Sequence, residues 1–219
     1  MKIGHCEFPD ELYYDVDQGT WCKLQDDTLR VGLTSLLSWS SGTFSTVTFR
    51  DIGTEVGRGQ VLGSVEGSKR FEVVRSPVSG TISRSNARLS VDPVLLNKDP
   101  YGEGWFAEIK VGKDEDLGAL QRLPEAEPAI AKALEEHHVR CFAAFPDYEM
   151  FDAGVECAAL LVKLNELIAD SEAGSVVHVI SDDASAEIEM ERWSEQTGNE
   201  LLESRKIGDY YHFIVRKKG

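Results

Sequence analysis

The sequence predicts a multi-domain chain: a mainly-β N-terminal domain, a helical connector and a C-terminal two-layer α+β domain. Three observations predict it. The 219 residues are enough for two ordinary domains. Short alternating apolar runs punctuated by glycine fill residues 10–111, whereas after residue 147 runs with helical spacing alternate with strand-like ones. An acidic stretch with prolines lies between the two.

In the first part, residues 29–33, 46–49 and 61–65 read as strands, and turn signals recur at Asp51-Ile52-Gly53, Gly57-Arg58-Gly59 and Ser79-Gly80. Short strands at close, regular spacing predict a small β barrel or sandwich. Residues 61–66 and 71–75 flank Gly67-Ser68, and glycine at the first central position suits a type II′ hairpin turn. Lys69 then stands at or just past the tip, where nothing buries it. Trp39, Trp105 and Cys22 read as packing residues.

Residues 112–146 open with Gly112-Lys113-Asp114-Glu115-Asp116 and carry Pro124 and Pro128. Between Pro128 and Phe145, Ile130, Leu134 and Val139 lie among charges, which predicts a helix. Residues 112–150 hold 4 Lys and Arg against 9 Asp and Glu, a net of -5. The expected element is an acidic helical connector.

In the last part, Leu160, Leu161, Leu164, Leu167 and Ile168 make one apolar face of a helix over 158–169. Residues 176–180 read as a strand. Ser181-Asp182-Asp183 suits a cap for a second helix, which Gly198 would stop. Ala186, Met190, Trp193 and Thr197 share that helix's face. Residues 201–204 and 210–215 flank Ile207-Gly208-Asp209, a hairpin pattern. With one more strand near 148–152 the order is βαβαββ, two helices over one face of a four-stranded sheet. The domains are expected at 1–111, 112–146 and 147–219.

Composition narrows the function. The formal net charge is -15, and no basic cluster stands out, which argues against nucleic acid or an anionic membrane surface as a partner. The acidity suits solubility and docking onto basic sites of partner enzymes. No apolar run approaches the ~20 residues of a transmembrane helix. The N-terminus lacks the basic start and apolar stretch of a secretion signal. The expectation is a cytoplasmic protein whose Cys6, Cys22, Cys141 and Cys157 are thiols. No cysteine pair has CxxC spacing. His137 and Cys141, four apart on the expected connector helix, are two ligands where zinc needs three or four, and His5 with Cys6 is no stronger; no metal is expected. Gly57-Arg58-Gly59 with Gly63 has the wrong spacing for a dinucleotide fingerprint. No nucleophile–base–orienter set is evident, so the chain reads as a carrier rather than a complete enzyme.

Cys157 directly precedes the helix over 158–169. A thiol there feels unpaired backbone N–H groups and the positive end of the helix dipole, which favours the thiolate. Glu156 beside it works the other way.

Residues 13–111 resemble the H protein of the glycine cleavage system, a lipoate-binding protein. Val31-Gly32-Leu33-Thr34, Gly53-Thr54-Glu55-Val56, Ser76-Pro77-Val78-Ser79-Gly80 and Trp21 follow that family's order. Val65-Glu66-Gly67-Ser68-Lys69 looks like its lipoylation motif. Asn97-Lys98-Asp99-Pro100-Tyr101-Gly102-Glu103-Gly104-Trp105 is the most specific piece. Asp17-Gln18-Gly19-Thr20 departs from the family's usual His-containing form. The resemblance implies a barrel-sandwich hybrid lipoyl domain with lipoic acid amide-linked to Lys69. Glu66, Gly67 and Ser68 would form the hairpin that a lipoate ligase or lipoyl transferase recognises.

Residues 151–216 resemble the TusA family of sulfur carriers. Phe151-Asp152-Ala153-Gly154-Val155-Glu156-Cys157 looks like the approach to its active cysteine. Ser181-Asp182-Asp183, Trp193, Gly198-Asn199-Glu200-Leu201-Leu202 and Phe213-Ile214-Val215-Arg216-Lys217 follow in order. Ala158 and Leu160 stand where the family usually has proline. The resemblance implies that Cys157 carries a persulfide. A lipoyl arm and a sulfur carrier on one chain imply sulfur transfer or oxidation, with sulfur-transfer or heterodisulfide-reductase-like proteins as partners. The alternative is an aminomethyl carrier serving glycine-cleavage enzymes, with an appended docking domain.

Overall fold

The computed structural model describes residues 1–111, 117–118, 120–154 and 156–219. The expected opening of the connector, Gly112-Lys113-Asp114-Glu115-Asp116, lies outside the described residues. The chain divides into two compact units, Met1–Cys141 and Phe142–Gly219.

The first unit begins with the two-stranded ribbon β1 (Lys2–Ile3) and β2 (Cys6–Glu7), followed by β3 (Tyr13–Asp15), β4 (Thr20–Gln25) and β5 (Thr28–Leu33). Helix α1 (Ser35–Ser41) leads into β6 (Phe44–Phe49), β7 (Glu55–Val56), β8 (Val61–Gly67), β9 (Phe71–Arg75) and β10 (Gly80–Ser85). A 3-10 turn (Ala87–Ser90), α2 (Leu95–Lys98), β11 (Trp105–Val111), β12 (Gln121–Arg122) and α3 (Leu123–Glu136) complete it. A 7-stranded sheet in the order β12-β3-β4-β5-β11-β10-β7 and a 3-stranded sheet, β6-β8-β9, enclose one core. Leu29, Val31 and Leu33 of β5, Leu62 and Val65 of β8, and Phe106 and Ile109 of β11 fill it. Cys22 is wholly buried there, the small hydrophobe its strand position predicts.

Because side chains alternate across a strand, Trp21 and Trp105 point to the outer face of the 7-stranded sheet. There they meet Phe8, Tyr14, Leu123, Ala126, Ile130 and Leu134 in a second core. The expected connector helix is therefore α3, and it roofs the first unit instead of bridging two bodies. It starts at Leu123, not after Pro128, because Pro124 sits in the first turn, where its missing N–H costs nothing. Pro128 lies inside the helix and forfeits one bond near its start. The spacing of Ala126, Ile130 and Leu134 keeps the buried face continuous across it.

The cysteine expectation fails at one pair: Cys6 and Cys141 form a disulfide across 135 residues of sequence. It ties β2 to the segment that follows α3, and both cysteines are buried. Cys141 lies past the end of α3, so it does not share a helical face with His137.

The second unit contains β13 (Tyr148–Asp152), α4 (Cys157–Asp170), β14 (Val176–Ser181), α5 (Ala186–Thr197), β15 (Glu200–Ile207) and β16 (Tyr210–Arg216). This is the expected βαβαββ order. The sheet runs β13-β14-β16-β15, with β13 and β14 parallel. Leu160, Leu164 and Ile168 of α4 and Ala186, Met190 and Trp193 of α5 pack on Val177, Val179, Phe213 and Val215. The alternate residues His178 and His212 face the other way, and the Phe142 ring lies 4.6 Å and 5.5 Å from their rings. Gly198 ends α5 at a φ of 74°, the left-handed cap the sequence predicts. The start of α5 differs: Asp183 Oδ1 accepts bonds from the N–H and hydroxyl of Ser185, so Asp183 shapes the turn that precedes the helix.

Candidate functional site

In the first unit the candidate site is the β8–β9 hairpin tip. Glu66 pairs with Phe71, and the N–H of Gly67 donates to the carbonyl of Arg70 at 2.8 Å. The loop proper is Ser68-Lys69, one residue later than the expected Gly67-Ser68. Gly67 is strand-like with no positive φ, and neither loop residue is left-handed; the type II′ expectation is not met. Glycine is required at 67 for another reason. A Cβ there would lie 2.2 Å from the Ser41 carbonyl oxygen.

The tip leans on a second turn, residues 41–43. Lys69 N–H donates to Ser41 O at 3.0 Å, and Ser68 N–H to Thr43 O at 2.9 Å. Thr43 N–H donates back to Ser68 Oγ at 3.1 Å. Gly42 closes this turn at a φ of 72°, and a Cβ on it would meet Ser68 Oγ and the Lys69 stem. Two backbone bonds and one to Ser68 Oγ thus brace the tip, while Lys69, Ser68 and Glu66 stay exposed. The four residues singled out from the motif, Glu66, Gly67, Ser68 and Lys69, are brought together on one braced tip.

The stretch from Asn97 to Trp105 explains why the brace is stiff. Asn97, 3% exposed, donates from Nδ2 to Ser38 O at 3.0 Å and Gly42 O at 2.9 Å, and accepts Phe44 N–H on Oδ1 at 2.9 Å. Pro100 O accepts the Trp21 indole N–H at 2.9 Å. The Tyr101 hydroxyl accepts Ser35 N–H at 3.0 Å, and burial pushes its pKa well above the ordinary tyrosine value. Asp99 Oδ2 accepts Glu103 N–H at 2.7 Å. The most specific sequence stretch is an anchoring segment.

An open cleft of about 710 Å³ adjoins the tip. Phe71 and Val73 form one side, Leu37 and Ser40 of α1 another, and Ala133 of α3 with His137 a third. Asp17, Gln18 and Gly19, the segment that departs from the family's form, also line it. Sequence reading missed this cleft, since its walls come from four separated segments. The exposed Phe71, 64% accessible, was the available signal.

In the second unit Cys157 is the first residue of α4; its side chain lies outside the described part of the structure. The end of β13 and the turn that follows it are held by two bonds. Gly154 N–H donates to Asp182 Oδ1 at 2.8 Å, and Lys163 Nζ bonds Asp152 Oδ1 at 2.7 Å. Leu160, where the related family usually has proline, is wholly buried in the core, and Ala158 is exposed. Glu156 takes the cap position without a side-chain bond to the helix. No group of three or more His, Cys, Asp and Glu residues placed to hold a metal occurs among the described residues. No helix there is long and apolar enough to cross a membrane.

Comparison with known proteins matches both parts. Residues 12–136 match the family model of the glycine cleavage H-protein, and residues 153–217 that of sulfurtransferase TusA. A probable glycine cleavage system H protein 2 of Sulfolobus acidocaldarius is 32% identical over 141 residues, 63% of this chain and 95% of that one. A glycine cleavage system H protein of a Mycobacterium species is 38% identical over 122 residues, 55% of this chain and 92% of that one. The crystal structure of a glycine cleavage system H protein from Mycobacterium marinum is similar with a TM-score of 0.48 at 26% identity, covering 60% of this chain and 100% of that one.

Proposed function

The chain belongs to the glycine cleavage H-protein family, fused to a region matching sulfurtransferase TusA, and on that premise we propose that it is a lipoyl carrier acting in sulfur transfer or oxidation. Lys69 is the lipoyl attachment site and Cys157 the sulfur-carrying residue. It is a carrier and not an enzyme, and it works in the cytoplasm. The observation that supports this reading most is the tip itself: an exposed lysine whose backbone is fixed by bonds to the 41–43 turn.

The residues present fit the group. An exposed amine on a braced tip can be acylated without disturbing any packing, and the amide would lose the lysine charge. When bound, lipoic acid supplies a tethered dithiolane, which serves as a redox couple or carries a group between enzymes at high effective concentration. Glu66 and Ser68 give the modifying enzyme polar features beside the lysine. The apolar walls of the neighbouring cleft, Leu37, Phe71, Val73 and Ala133, suit an aliphatic chain. In the second unit Cys157 is the first residue of α4, a position where a helix dipole favours a thiolate and the neighbouring Glu156 opposes it. Bonds from Gly154 N–H to Asp182 and from Lys163 to Asp152 tie the end of β13 and the turn after it to the rest of the second unit. Partners would be a lipoate ligase or lipoyl transferase and sulfur-transfer or heterodisulfide-reductase-like proteins.

Purified full-length protein incubated with a lipoate ligase, ATP and lipoate should gain one lipoyl group, and Lys69→Arg should gain none. Host cells carrying Cys157→Ser should lose sulfur loading of the protein; unchanged sulfur turnover would sink the sulfur role. The names of the curated relatives favour a second reading, an aminomethyl carrier of glycine cleavage. Loading of the lipoylated protein by a glycine decarboxylase would support it, and failure to load despite full lipoylation would count against it.

A further inference from the structure

The tip that carries Lys69 bonds to the 41–43 turn, and the buried Asn97 side chain bonds the backbone on both sides of that turn. Asn97 satisfies Ser38 O, Gly42 O and Phe44 N–H, which joins the end of α1, the glycine that closes it and the start of β6. The outward-facing groups of the same turn, Ser41 O, Thr43 O and Thr43 N–H, are the ones that bond Ser68 and Lys69. Asn97 itself is placed on α2, and Ser38 Oγ reinforces that link by donating to Leu96 O at 2.7 Å.

We propose that Asn97 is a positioning residue for the modification of Lys69, acting through the 41–43 turn. The inference rests on the reading that Lys69 is the lipoylated lysine. Three backbone groups that converge on one amide are hard to satisfy otherwise. Without Asn97, two carbonyls and one N–H are left buried or must move to find water. Movement of the turn carries Ser41 O and Thr43 O with it, and the tip loses its seat. A modifying enzyme that reads the hairpin's shape then meets the lysine in many placements, and small misplacements are costly in rate.

The test is a lipoylation time course on the full-length protein with ligase, ATP and lipoate, run beside amide hydrogen exchange and thermal melting. Asn97→Ala should slow modification by about tenfold or more and speed exchange at Ser68 and Lys69. Asn86→Ala is the control. Asn86 is also 3% exposed and donates to Glu103 O at 2.7 Å and Trp105 O at 2.8 Å, at the other end of the 97–105 stretch, and its side chain bonds neither the 41–43 turn nor the tip. It should lower the melting temperature comparably and leave the lipoylation rate within about twofold of wild type. Asn97→Asp keeps the shape and the bond from Phe44 and loses both donors, so it serves if Asn97→Ala does not fold. Equal losses in the Asn86 and Asn97 variants, or a normal rate with normal exchange at the tip, would overturn the proposal while leaving Lys69 as the site. A wild-type protein that accepts no lipoyl group would overturn both.

Discussion

Gly67, at the base of the Lys69 tip, packs its Cα side against the 41–43 turn and leaves no room for a side chain. The glycine is needed because Ser41, 26 positions earlier in the sequence, puts its carbonyl where a Cβ would stand. Local pattern carries turn positions; it does not carry a contact made by a distant segment. Gly67→Ala should therefore destabilise the first unit by about 1–3 kcal/mol through forced displacement of the 41–43 turn, seen as a lower melting temperature, and slow lipoylation of Lys69. Tyr14 and Tyr101 give a second expectation at this scale. Burial, the largest cause for both, raises their pKa values well above the ordinary one. Folding favours their neutral forms, so the stability they contribute is intact below about pH 10 and lost as pH rises beyond it. A spectrophotometric titration should show two of the 6 tyrosines ionising only when the first unit unfolds.

Among the elements, α4 and α5 were legible from their helical apolar spacing and the last two strands from the turn at Ile207-Gly208-Asp209 between them. The Leu160, Leu164 and Ile168 stripe and the Ala186, Met190 and Trp193 stripe meet in one core. Leu164→Ala should cost that unit about 2–5 kcal/mol, measured as a lower melting transition for the second unit with the first unchanged. Helix α3 was half legible. Its apolar spacing predicts a helix between Pro128 and Phe145, and the helix runs from Leu123 to Glu136 with Pro124 in its first turn. Nothing in the helix's own sequence says that its apolar face closes over Trp21 and Tyr14.

For the whole molecule, composition and the two resemblances placed a β-rich unit before an α+β unit, and the structure divides at Cys141 and Phe142. The Cys6–Cys141 disulfide was not legible, since two cysteines 135 residues apart carry no spacing signal. It closes nearly the whole first unit into one loop. In the chain-entropy view, closure of a loop this long contributes about 4–5 kcal/mol. Reduction, or Cys6→Ser with Cys141→Ser, should lower the melting temperature of the first unit and leave the second unit's transition in place. Disulfides are the exception in reducing compartments, so the state of this pair in the cell is read in the same experiment as the carrier sites.

That experiment is mass spectrometry of the protein isolated from its own host without reductant, as intact chain and as peptides. The account predicts lipoyl on Lys69 and extra sulfur on Cys157 in the same preparation. Lipoyl alone would remove the sulfur-carrying role and leave the aminomethyl carrier standing. An unmodified Lys69, with its peptide well covered, would contradict the account at its centre.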